Sequence, residues 1–171
     1  MIYVLKSILS PEDCAKCRFC CSYRRASLWE TAKFDLELLA RLKEKYPYAA
    51  FKVDGESATI DISMRYRTDD PNEEALCWFN NGKGCILGAD KPFECSVWPL
   101  RVMRKDSQLV IALNSGCHVV SSKPINEILS LIDGGLGRKM FEYAEKFPAY
   151  IREYRENYPI LKVLKEWIYH G

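Results

Sequence analysis

The sequence predicts an α+β protein: a small cysteine-rich metal-binding region with β-hairpins, packed with several helices. Three observations carry this expectation. All eight cysteines fall between Cys14 and Cys117. Within that stretch, short apolar runs flank turn signals containing Gly, Asn or Asp, which is the patterning of hairpins. After Ser121, apolar residues recur instead at three- and four-residue steps, which is the patterning of helices. For 171 residues a single domain over 1–171 is expected, with the metal-binding region at 14–117 and a C-terminal helical part at 121–171.

The elements follow in chain order. Ser27-Leu28-Trp29-Glu30 has the form of a capping box, serine serving the glutamate backbone and glutamate reaching back, so a helix is expected to start there. Leu28, Ala32, Leu36, Leu39, Leu42 and Tyr46 continue it as one apolar stripe up to Pro47. Phe51 to Val53 and Ala58 to Ile62 flank Asp54-Gly55 and predict two antiparallel strands. Two further hairpins are expected, Cys77 to Phe79 with Cys85 to Leu87, and Leu100 to Arg104 with Leu109 to Leu113. Ile125, Ile128, Leu129 and Ile132 predict a helix ending at Gly134-Gly135, and Met140, Phe141, Ala144 and Phe147 a second one closed by Pro148. Ile160, Val163, Leu164, Trp167 and Ile168, after Pro159, predict a third.

Composition narrows the functional classes. Hydrophobic residues make up 48% and charged residues 28%, a globular balance. Twenty-five basic against 23 acidic residues leave a charge of +2, which argues against a nucleic-acid partner. The longest apolar runs, Met1 to Leu5 and Leu109 to Leu113, hold five residues each. A bilayer span needs about 20, so no membrane association is expected. Lys6 arrives after those first apolar residues with no basic stretch before them, which does not read as a secretory signal; the expected location is cytoplasmic.

In such a compartment thiols stay reduced, so closely spaced cysteines point to metal before disulfides. Cys14, Cys17, Cys20 and Cys21 form a C-x2-C-x2-C-C run, whose gaps let a looping backbone direct successive thiolates at one centre. Cys20 and Cys21 are neighbours and tend to point apart, so Cys21 suggests a second site or a packing role. Cys77, Cys85 and Cys95 follow as C-x7-C-x9-C, and Cys117 comes last. One partition gives Cys14, Cys17, Cys20 and a distal cysteine to one centre and the remaining four to another. A lone cysteine is more often a small buried hydrophobe, Cys117 or Cys21 being the candidates for that role. A tight three-cysteine run with a distant fourth favours an iron-sulfur cluster of the [4Fe-4S] type, with zinc as the alternative.

Other groups give less. His118 could supplement the thiolates, whereas His170 reads as solvated. Arg24-Arg25, Arg101, Arg104 and Lys105 would either surround a negative metal centre or lie on the surface. Asp69-Asp70 and Glu73-Glu74 suit a solvated loop. No Ser/His/Asp order and no phosphate loop is present, and no catalytic residue is identified.

The order of these residues resembles the YkgJ-type CxxCxxCC cysteine-cluster family, described as zinc- or iron-chelating domains. The resemblance rests on Cys14, Cys17, Cys20, Cys21, Cys77, Cys85-Ile86-Leu87, Lys91-Pro92-Phe93-Glu94-Cys95-Ser96-Val97-Trp98-Pro99 and Cys117. It departs from the family at Lys91, where arginine is usual, and at Arg18, where glycine is common. The cluster is also similar to that of flagellin lysine-N-methylases, which implies a protein-modifying enzyme acting on a protein partner as a third reading. The first two are an iron-sulfur protein and a structural zinc module for interactions. The chain matches only the cluster of those methylases. Gly134-Gly135-Leu136-Gly137 lies between helical segments and reads as a turn rather than a cofactor loop.

Overall fold

The computed structural model describes Leu5 and residues 7–164, in two compact units, Met1–Ser96 and Val97–Gly171. Near the start of the first unit, Ser10 accepts a hydrogen bond from the Asp13 amide at 3.0 Å. Pro11, Glu12 and Asp13 supply a first turn suited to a helix N-terminus, and α1 (Pro11–Cys17) results. Arg18 ends it in the left-handed region, φ 54°. A 3-10 turn over Phe19–Cys21 then leads into β1 (Ser22–Tyr23).

The helix expected from Ser27 does not form there. Ser27 Oγ accepts from the Arg24 amide at 3.0 Å within a 3-10 turn, Arg25–Glu30, and β2 (Lys33–Asp35) follows. The helix starts after Asp35, whose carboxylate accepts from the Leu38 amide at 2.7 Å and opens α2 (Leu36–Lys45). Only the later part of the apolar stripe, Leu39 and Leu42 among it, is helical and buried. Phe34 instead goes into a strand facing Ala58. β3 (Phe51–Asp54) and β4 (Ser57–Ile60) form the expected hairpin about Gly55, φ 57°, and the sheet order is β2-β4-β3. β5 (Ala75–Leu76) pairs with β1.

The hairpin expected between Cys77 to Phe79 and Cys85 to Leu87 is reduced to one bridge, Asn80 with Cys85, and an Ile86 amide donating to the Phe79 carbonyl at 2.9 Å. Gly82 and Gly84 take positive φ in the loop between. α3 (Phe93–Val97) begins in this unit, which ends at Ser96. The core of the unit gathers Phe34, Leu42, Ala58, Ile62 and Phe79, with Cys77, Cys85 and Cys95 packed partly buried against it.

In the second unit β6 (Leu100–Lys105) and β7 (Gln108–Leu113) pair as expected, with Asp106 at φ 54° in the turn. α4 (His118–Ser121) and α5 (Ile125–Leu131) follow. A π turn over Ile132–Leu136 runs into α6 (Gly137–Lys146). Gly137 has no room for a side chain, because a Cβ there would lie 2.9 Å from Ile132 Cγ2. β8 (Arg152–Glu153) and β9 (Ile160–Val163) complete a four-stranded sheet of order β8-β6-β7-β9. The helix expected from Ile160 is therefore a strand where the structure describes it. Ile160 and Val163 are β-branched, and the segment pairs antiparallel with β7. Trp167, Ile168 and His170 lie outside the described residues.

Helices and strands thus make up an α+β fold, but the cysteine-rich metal-binding region expected within it is corrected below. Among the described residues no helix is long and apolar enough to cross a membrane.

Candidate thiol site

The first unit brings together three of the eight predicted residues, Cys14 from α1 and Cys20 and Cys21 from the 3-10 turn after it. Cys20 Sγ lies 3.9 Å from Cys21 Sγ, and a side-chain hydrogen bond joins Cys20 to Cys14. The sulfurs therefore form a row with Cys20 in the middle. Arg18 makes the turn that folds Cys20 back toward Cys14. Its guanidinium donates to the Ala15 carbonyl at 3.3 Å and to the Gly82 carbonyl at 2.7 Å, tying α1 to the 80–84 loop. The Tyr23 hydroxyl donates to the Cys20 carbonyl at 2.9 Å, and the Cys77 amide donates to the Cys21 carbonyl at 2.7 Å. Main-chain bonds on both sides thus fix the row.

Cys14 and Cys21 line a recess of about 100 Å³ together with Cys85, Asn80, Lys83 and Lys91. Asn80 is buried and bridges the loop to the site. Its Oδ1 accepts from the Gly82 amide at 2.8 Å, and its side chain also hydrogen-bonds the Cys21 thiol.

The electrostatics follow from one shared proton, because Cys20 has a single S–H and can donate to one neighbour at a time. The hydrogen bond from Cys20 holds the Cys14 thiol down at about 6, against burial and with help from the Lys91 charge. The Cys20 bond also lowers Cys21; burial opposes this, the Asn80 side chain assists, and a charge on Cys14 opposes. Cys20 itself is raised, since its bonds to Cys14 and Cys21 favour the protonated form. The arrangement favours one thiolate, at Cys14, with Cys20 keeping its hydrogen.

The other cysteines are placed differently. Burial pushes Cys77 up to about 12 and raises Cys85 and Cys95 as well. Half-buried against the apolar core, these favour the neutral thiol over the thiolate. Cys17 lines a separate cleft with Arg18, Phe19, Ser22, Arg24 and Glu74. Cys117 is buried in the second unit, immediately before α4.

This placement corrects the metal expectation. Among the described residues no group of three or more His, Cys, Asp or Glu is arranged to hold a metal ion. Cys14, Cys17, Cys20, Cys21, Cys77, Cys85, Cys95 and Cys117 are not gathered as one chelating site or two. The capping signals Ser10 to Asp13 make the first cysteines helical, where a knuckle needs a loop. Burial also disfavours the ionised sulfur that a metal requires at Cys77 and Cys95. The iron-sulfur cluster, the [4Fe-4S] assignment, the zinc alternative and the YkgJ-type chelating family all fall with that finding. So does the methylase reading, which rested on the same cluster. No disulfide forms among the described residues either.

Of the basic and acidic runs, Arg24, Arg104, Lys105, Asp69 and Asp70 lie on the surface, whereas Arg101 is buried with its guanidinium over the Trp98 ring. Arg24 pairs with Glu74 at 2.9 Å, Arg25 lies over the Tyr66 ring, and Glu73 accepts from the Arg67 and Thr68 amides. Sequence reasoning singled out neither Asn80 nor Lys83, which fall between the two expected strands ending at Phe79 and starting at Cys85, and gave Lys91 no role of its own. The signal available was the position of Asn80 and Lys83 just before Cys85. No known family, curated protein or solved structure matches this chain.

Proposed function

We propose that Cys14 and Cys20 form a thiol–disulfide exchange site, in a chain that works in the reducing cytoplasm on a disulfide-bearing partner. The observation that supports it is the row of hydrogen-bonded sulfurs beside an open recess, with Cys20 in reach of Cys14. A thiolate is the nucleophile in such exchange, and a nearby second thiol completes the reaction.

The Cys14 thiolate attacks one sulfur of a substrate disulfide R–S–S–R′. A Cys14–S–S–R bond forms, the substrate S–S bond breaks, and R′S⁻ leaves. Cys20 gives its proton to R′S⁻ and its sulfur then attacks Cys14 Sγ. The Cys14–Cys20 bond forms and RS⁻ departs. The protein dithiol loses two electrons and the substrate disulfide gains them, giving R′SH and RS⁻. Two equivalents of a low-molecular-weight thiol return the protein to its starting state.

The test is to treat the reduced protein with hydroxyethyl disulfide and identify the products by mass spectrometry of peptides. The expected result is a Cys14–Cys20 disulfide in the unaltered chain. A mixed disulfide should accumulate on Cys14 in Cys20→Ser, and neither product should form in Cys14→Ser. A mixed disulfide that persists on Cys14 of the unaltered chain, or an unreacted Cys14, overturns the proposal.

A further inference from the structure

Beside the sulfur row the surface is strongly biased in charge. A second recess, of about 370 Å³, shares Pro11, Ala15 and Lys83 with the smaller one, so the two adjoin along α1 and the 80–84 loop. Lys16 and Arg18 line the larger recess, Lys91 the smaller, and Lys83 both. The carboxylate among the lining side chains is Glu12. The Lys91 charge is felt at the Cys14, Cys21 and Cys85 thiols. Lys16, Arg18 and Lys83 are exposed, which leaves their charges at the mouth of the recess, where an approaching molecule meets them.

We infer that the substrate of this site is a low-molecular-weight disulfide carrying carboxylates, whose negative groups are held by Lys83 and Lys91 while its sulfur reaches Cys14. The inference rests on the exchange reading above and adds the class of substrate. Two physical arguments carry it. A concave site lined by one sign of charge concentrates ligands of the opposite sign and speeds their arrival. The adjoining recesses also have the volume of a small-molecule site, and a lysine beside the nucleophile stabilises an anionic ligand where it must sit. The thiolate that leaves in the first step is itself an anion, and Lys91 would stabilise it as it forms.

The experiment compares three disulfides on the full chain: oxidised glutathione with its carboxylates, neutral hydroxyethyl disulfide, and cationic cystamine. Rates of Cys14 consumption are measured at pH 8, where Cys14 is ionised, and each is divided by that reagent's rate with a free thiol. The expected order is glutathione, then hydroxyethyl disulfide, then cystamine, with about a tenfold span at low salt. The span should shrink toward unity near 1 M salt, where charges are screened beyond about 3 Å. Lys83→Glu should narrow or invert the order, each rate being taken relative to that of the neutral reagent with the same variant. A flat order, or one that Lys83→Glu leaves unchanged, overturns this inference while the exchange reading stands. No reaction of Cys14 with any of the three overturns the exchange reading itself.

Discussion

Cys20 sits between two sulfurs and has one hydrogen to give, which makes the reactivity of Cys14 a property of its neighbour. The groups facing Cys14 are Cys20, Cys21, Cys85, Lys83 and Lys91. With its thiol held down at about 6, Cys14 is a thiolate at neutral pH and loses reactivity only as pH falls through that value. Its alkylation by iodoacetamide should therefore rise with pH and level off above about 6, read as a pH–rate profile at the Cys14 peptide. Cys20→Ala removes the donor and should move the midpoint up by about one unit or more, toward the ordinary thiol range. Cys20→Ser, whose hydroxyl still donates, should move it less. An unmoved midpoint would show that Cys20 is not the cause. At this scale the sequence spacing brought the run into view but grouped Cys14, Cys17 and Cys20 and set Cys21 apart, whereas the sulfurs of Cys20 and Cys21 lie 3.9 Å from each other. It could not reveal that Cys17 lines another cleft, since that depends on α1 ending in the left-handed turn at Arg18.

Among the elements, α2 shows how a local signal can be right in kind and wrong in place. Ser27 and Glu30 satisfy the capping pattern, yet Ser27 serves only a 3-10 turn, and the residue that opens the helix is Asp35. Asp35→Ala should cost about 1 kcal/mol in urea unfolding, the usual worth of an N-cap, and Ser27→Ala clearly less. Equal losses at the two positions would contradict this assignment. The apolar periodicity was legible, but where it began was decided by pairing: Phe34 faces Ala58 across the sheet, a partner far off in the chain. Ile160 to Val163 differ from the helical expectation for a similar reason. Their spacing fits a helix, but β7 offers an edge to pair with and the β-branched side chains suit a strand. The Leu100–Lys105 and Gln108–Leu113 hairpin, by contrast, depends on neighbouring residues alone and is where the turn signal put it.

For the molecule as a whole, the half-buried cysteines couple folding to alkaline pH. Cys77 is raised by burial from an ordinary value near 9 to about 12, so the folded chain keeps that proton where the unfolded chain loses it. A group raised on folding contributes stability that is intact below the unfolded value and is lost as pH climbs through the folded one. Stability should thus be unaffected by Cys77 below pH 9 and decline between 9 and about 12. Three pH units at about 1.4 kcal/mol each set an upper bound of roughly 4 kcal/mol. Urea midpoints at pH 7, 9 and 10.5 measure it. Cys77→Ala should lower stability at neutral pH through the lost packing, and flatten the alkaline slope. A slope identical in both chains would assign the effect elsewhere. That Cys77, Cys85 and Cys95 serve the core was hard to read from their order, because burial is set by Phe34, Leu42 and Phe79 brought in from other segments.

The row Cys14, Cys20, Cys21 holds an odd number of sulfurs. Oxidation consumes them in twos, so one always stays behind, and in the Cys14–Cys20 state the leftover is Cys21, adjacent to the link. Closing the pair therefore leaves a thiol beside the link, and a count of free thiols in the oxidised chain should fall by two with Cys21 among those that remain.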